Sequence, residues 1–210
     1  MKKKKKVIVF VIIILIVLGI IGTSIFLYVK NNSNKDTEPD KEAVILNSIE
    51  KYNITLSDLD SPLYKSEYEV LKKNLESEKI DYEEYAKSIS KLFIIDLYSL
   101  KTRINKYDVG GVEFVYDKIV ENYCLNVEDT LYKYLEDNSK GKRTQVLPLV
   151  SSIKVVSIKE NKYKIESEDK TYDGYKVKLT WEYEKDLGYD DSAELIIIKV
   201  DDQLKIVEKN

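Results

Sequence analysis

Histidine is missing from this chain altogether, and cysteine, methionine and tryptophan each occur once. Without imidazole there is no Ser-His or Cys-His nucleophile pair and no histidine-based zinc or copper centre. A single cysteine cannot close an internal disulfide, so the fold must be held by packing even in an oxidising compartment. Cys124, flanked by apolar residues, is expected as a small buried hydrophobe, with an intermolecular bridge as the lesser alternative. Glycine-rich phosphate loops are lacking too. The pair Gly110-Gly111 follows Tyr107-Asp108-Val109 without a P-loop lysine or dinucleotide-fingerprint spacing, and reads as a turn or a close-packed connection.

Long apolar runs are absent except at the start, where Val7 to Val29 gives 23 residues without a charge. In a helix this reaches roughly 34 Å, enough to span a hydrocarbon core of about 30 Å. The apolar stretch continues through Ile25, Phe26, Leu27, Tyr28 and Val29, past the only small residues that resemble a cleavage site. It is therefore expected to be an uncleaved anchor, with a cleaved signal as the alternative. Lys2 to Lys6 precede it directly, which places the N-terminus on the cytoplasmic side and the bulk outside. The expected organisation is a leader at 1–6, an anchor at 7–29, a polar stalk at 30–42 and an extracytoplasmic domain at 43–210.

With the five leader lysines set aside from 34 basic residues, 37 acidic residues outweigh the remainder, a net charge near −8 outside the membrane. That balance argues against nucleic acid or anionic lipid as the main partner of this domain. Abundant Lys, Asn, Ile and Tyr is the composition of an AT-rich bacterial genome. The sequons at Asn31-Asn32-Ser33 and Asn53-Ile54-Thr55 matter only in a eukaryotic secretory pathway.

Helical periodicity governs the first half of the domain. Ser61 before Pro62 predicts an N-cap, and Tyr64, Tyr68, Leu71 and Leu75 fall on one face of a helix from about Pro62 to Ser77. Asp81 and Glu84 form a second capping pattern, with Ile80 and Tyr85 at the positions of a hydrophobic staple. The helix that follows carries Tyr85, Ile89, Leu92, Phe93, Leu100 and Ile104 on one face. Ile94, Ile95 and Leu97 widen that face, which implies burial against more than one element. Val115, Ile119, Tyr123, Val127, Leu131 and Leu135 predict a third helix from about Tyr116 to Glu136, so that helices occupy roughly 62–138.

The period then changes to two. Tyr175, Val177, Leu179, Trp181 and Tyr183 alternate with polar residues, as in a half-buried antiparallel strand. Ile153–Ile158 and Tyr163–Glu166 are expected as two strands around a turn at Glu160-Asn161. Ala193–Val200 and Leu204–Val207 form a last hairpin turning at Asp201-Asp202. Leu195 to Ile198 is apolar on both faces and should be central and covered on both sides. Helices followed by a meandering sheet at about 146–208 make an α+β domain.

The closing stretch AELIIIKVDDQLKIVEKN, a strand, a tight turn and a short final strand after helices and a long amphipathic strand, resembles the nuclear-transport-factor-2-like cone fold over about Asp81 to Asn210. The layout as a whole is similar to uncharacterised membrane-anchored proteins of low-GC Gram-positive bacteria. It also resembles the single-span assembly subunit of type IV secretion and conjugation machines. Cone folds host enzymes, binding modules and scaffolds alike, so the resemblance implies a curved sheet wrapped by helices and leaves the activity open.

Four residues stand out as candidates. Asp96 interrupts the apolar run Leu92 to Tyr98. Such a carboxylate serves either as an acid or base in apolar surroundings or as a structural ion pair. With Arg103 seven residues on and Ser99 three on, the structural role is favoured. Trp181, with Tyr175 and Tyr183 on the same strand face, is a candidate aromatic cavity lining or partner surface, with core packing as its ordinary use. The acidic loop Asp186 to Asp191 lacks EF-hand register and is expected as a solvated hairpin connection. The expected role is an anchored interaction or assembly domain with a protein partner in the envelope or self-association. No cofactor, metal or catalytic residue is assigned. A ligand-binding module is the alternative, and a histidine-free enzyme the least favoured.

Overall fold

Residues 42–210 are described by the computed structural model. The expected leader, anchor and nearly all of the stalk lie outside them, and among the described residues no helix is long and apolar enough to cross a membrane.

The first element is one that periodicity does not announce. Strand β1 (Ile45–Ile49) pairs antiparallel with β2 (Ile54–Ser57) across a turn in which Asn53 adopts a left-handed conformation, with φ of 53°. Only Ile49, Tyr52, Ile54 and Leu56 are buried, too few alternating positions to signal a strand pair in the sequence. Helix α1 (Pro62–Leu75) follows as expected. The Ser61 hydroxyl oxygen accepts the Tyr64 N–H at 3.1 Å, and Tyr64, Tyr68, Leu71 and Leu75 are its buried residues.

Helix α2 (Tyr82–Tyr98) is the centre of the domain, with 11 of its 17 residues buried. One Asp81 oxygen accepts from the backbone N–H groups of Glu83 and Glu84, at 3.0 and 3.1 Å, which fixes the start. The helix stops at Tyr98 and does not continue to Ile104. Ser99 leaves the helical conformation, its hydroxyl oxygen accepts the Val150 N–H, and the Lys101 N–H bonds Pro148 O. These ties to the entry of the sheet win over two more helical turns, and Leu100–Thr102 forms a 3-10 turn.

Helix α3 (Val120–Asp129) is also shorter than the expected Tyr116–Glu136. At its start Val115 is bridged to Ile206, and the Tyr116 N–H bonds Ile206 O, so these residues extend the sheet edge. At its end the Thr130 hydroxyl donates back to Asn126 O. Tyr132 turns inward, its hydroxyl donating to Leu97 O at 2.8 Å. Tyr132 and Leu135 are buried through a turn, which satisfies the same apolar positions without a helix.

The sheet is an antiparallel meander of β3 (Val150–Ile165), β4 (Lys170–Tyr183), β5 (Ser192–Val200) and β6 (Gln203–Lys209), in that spatial order. The two expected strands at Ile153–Ile158 and Tyr163–Glu166 are one continuous strand. Glu160 and Asn161 pair with Tyr175 and Gly174 in the ladder, and the chain turns at Glu166–Glu168 instead. The last hairpin turns at Asp201 and Asp202 as expected. Its strand β5 is covered on both faces. Leu195 and Ile197 face the main core under α2, while Ile198 meets Tyr116 and Tyr172 on the other side. The described residues form one compact α+β unit.

Candidate functional site

The short α3 leaves an open groove of about 580 Å³ between itself, the end of α2 and the far end of the sheet. Residues four apart share one side of a helix. Tyr123, Val127 and Leu131 therefore line the floor, joined by Leu97 and Tyr98 from α2, while Asn122, Asn126 and Thr130 form the rim. Asn122 and Asn126 are exposed, and their side-chain amides make no hydrogen bond with the described residues. Leu125, 53 % exposed, stands one helical turn along from Asn122.

The opposite wall is fixed. The Tyr98 hydroxyl donates to Asp190 Oδ2 at 3.0 Å, and Lys209 Nζ lies 3.9 Å from the same oxygen and 5.6 Å from the Tyr98 ring centre. Burial and then the Asp190 carboxylate raise the Tyr98 pKa, so the hydroxyl keeps its proton at neutral pH. Among the described residues Asp190 and Lys209 are the only charged ones lining the groove, and they neutralise one another. Chemically this is an apolar trough with free carboxamides along one rim.

A second cleft, of about 360 Å³, lies where β2, α1 and the end of α2 meet, and it contains Asp96. Arg103 Nη2 lies 2.6 Å from Asp96 Oδ1, and the Gly111 N–H donates to Oδ2 at 2.6 Å, so both oxygens are engaged. Asp108 lies 3.5 Å from the same guanidinium. Burial works most strongly against the Arg103 charge, but Asp96, Tyr132, Asp108 and Asp60 together outweigh it and the guanidinium is held protonated. Across the cleft Glu113 accepts from the Tyr64 hydroxyl at 2.8 Å and from Thr55 N and Oγ1 at 3.1 and 3.3 Å. Burial lifts its pKa to about 7 against the pull of those hydrogen bonds, and Asp96 adds to the rise. Burial likewise raises Asp60. The cleft is a set of paired groups that ties three elements together.

The four candidates from the sequence do not converge. Asp96 sits in this polar cleft as a hydrogen-bonded aspartate, with Arg103 as its partner and Ser99 turned to the sheet instead. Trp181 is buried, its ring centre 5.0 Å from that of Tyr98, so it supports the groove wall from beneath. Tyr183 donates to Asp190 O and packs near Tyr189 in the exposed loop that follows β4. Tyr175, six residues from Trp181 and thus about 20 Å along the strand, lines a different cleft with Tyr82 and Glu160. Cys124 on α3 is half-buried where a buried position was expected.

Sequence reasoning missed the groove because the stripe Tyr123, Val127, Leu131 reads the same whether it is covered or open. The available signal was Asn122 and Asn126 at helical spacing beside Leu125. Compared with known proteins, the chain matches no family model, no curated protein and no solved structure.

Proposed function

We propose that this chain is a membrane-anchored, extracytoplasmic interaction module of cone-like form whose α3 groove receives a neutral, apolar segment of another envelope protein. The observation that carries the reading is the open apolar trough with unpaired Asn122 and Asn126 amides along its rim. A polypeptide brings backbone N–H and C=O groups for those amides and apolar side chains for the floor, and a segment without net charge suits the Asp190–Lys209 pair. The apolar span at Val7 to Val29 and the lysines before it support the anchor and its orientation. The order of helices followed by an antiparallel meander supports the cone-like resemblance. A non-catalytic role is supported by Asp96 and Glu113, whose oxygens are occupied by protein donors.

Leu131→Asp and Asn126→Asp test the reading by placing charge on the floor and rim. Both are expected to abolish co-purification of one defined membrane protein with the full-length chain, with thermal unfolding nearly unchanged for exposed Asn126→Asp and only modestly lowered for half-buried Leu131→Asp. An identical partner set in wild type and variants contradicts it. The groove volume also falls among those of small-molecule pockets. A small amphiphile retained in native mass spectrometry and lost on Leu131→Asp would transfer the assignment to the ligand-binding alternative.

A further inference from the structure

The far side of the sheet from the groove carries a second surface of different chemistry. Strand β3 is one of the sheet's two outer strands, and its sheet neighbour is β4 alone. From Ser157 to Ile165 the pairing with β4 runs without a register shift, from Ser157↔Lys178 to Ile165↔Lys170. Those nine residues extend about 30 Å, longer than an ordinary strand. Their other row of backbone N–H and C=O groups meets no backbone partner among the described residues.

Open edges are commonly blunted by proline, by a bulge, by a covering helix or by lysines that disfavour self-pairing. Over Ser157–Ile165 there is no proline and no bulge, and the irregularities of β3 lie before Ser157. What the stretch does carry is charge. Lys159, Lys162 and Lys164 face a single Glu160, on a chain whose overall charge is −3. Lys159 has no ion pair among the described residues. Lys162 and Lys164 pair only with the exposed carboxylates of Asp173, Glu166 and Asp169. Exposed pairs of this kind contribute little and exchange readily for other carboxylates.

The charge selects the occupant. A second copy of β3 laid along this edge brings one carboxylate, Glu160, for its three lysines, and in a parallel in-register pairing it sets lysine directly against lysine, which is destabilising. A strand bearing carboxylates meets the same lysines favourably, while its backbone completes the unpaired row. We propose that the outer edge of β3 over Ser157–Ile165 takes an extended acidic segment of a partner protein as an added strand. Together with the groove, this gives the domain two separate partner-facing surfaces, as a bridging module requires.

The test uses the full-length chain in detergent and fluorescein-labelled peptides with blocked ends. One peptide alternates Glu and Val, one alternates Lys and Val, and a third is the Glu-Val peptide fully N-methylated so that its amides cannot donate. Saturable binding of the Glu-Val peptide is expected, with the Lys-Val and N-methylated peptides each weaker by about tenfold or more. The triple substitution Lys159→Glu, Lys162→Glu, Lys164→Glu is expected to reverse the Glu-over-Lys preference, and Leu131→Asp to leave it untouched. Equal binding of the N-methylated peptide would reduce the effect to charge alone and overturn the proposal. So would an absence of saturable binding to wild type, a result that needs no variant to fold.

Discussion

Glu113 shows how one side chain sets a pH response. Its folded pKa of about 7 lies above the ordinary carboxylate value of 4.5 because burial disfavours its charge. The folded state therefore holds the proton more tightly than the unfolded chain, so this contribution to stability is complete below pH 4.5 and is lost as pH rises through 7. The swing is on the order of 3 kcal/mol. Urea unfolding at pH 5 and pH 8 should show it in wild type, and Glu113→Gln should remove that part of the slope; an unchanged slope would mean another group titrates. Arg103→Met should cost roughly 3 kcal/mol by leaving Asp96 buried without its cation, and Asp96→Asn in the same chain should restore part of the loss. Equal stability of the single and double variants would show that the pair is not coupled. The Asp96–Arg103 pairing was legible in the sequence because a carboxylate in the apolar run Leu92 to Tyr98 calls for a partner and Arg103 stands seven residues on. Glu113 was not, since its partners Thr55 and Tyr64 come from elements whose meeting only the fold reveals.

At the scale of elements, legibility followed the local chemistry. The starts of α1 and α2 are written in Ser61-Pro62 and Asp81, because a cap is satisfied by its own neighbours in sequence. Asp81→Ala should cost about 1 kcal/mol in thermal or urea unfolding through the loss of the one oxygen that accepts two N–H groups. The ends of α2 and α3 were not legible. Ser99 and Tyr132 leave their helices for partners about 50 and 35 residues away, Val150 and Leu97. The division of β3 failed for a related reason, since polar Glu160-Asn161 resembles a turn until β4 supplies a partner for each residue. Gly110-Gly111 was readable as a close-packed connection. A Cβ on Gly110 would stand 2.2 Å from Asp96 O, and Gly111 has φ of 78°. Gly110→Ala should force the end of α2 to shift and lower stability by roughly 1–3 kcal/mol, as overpacking does. A variant of wild-type stability would show that the connection can move freely.

The molecule as a whole is read as a display device. On the proposed reading the anchor holds the domain beside the membrane, while the described residues present an apolar groove between α3 and the sheet and a lysine-bearing outer strand in β3. If the anchor stays in place, the full-length chain should remain in the membrane pellet after alkaline carbonate extraction. A protease added outside intact cells should then digest the domain, and release into the medium would instead indicate a cleaved signal. The expected placement rests on the opening residues alone, which lie outside the described residues, whereas the groove depended on where α3 stops.

The most direct measurement is site-specific photo-crosslinking in the native membrane, with a photoreactive amino acid at Asn126 on the groove rim and, as control, at exposed Lys185. One discrete crosslinked protein is expected from position 126, none from position 185, with loss of that product when Leu131→Asp is added. The same products from both positions, or a product indifferent to Leu131→Asp, would contradict the claim that the α3 groove is where this protein holds its partner.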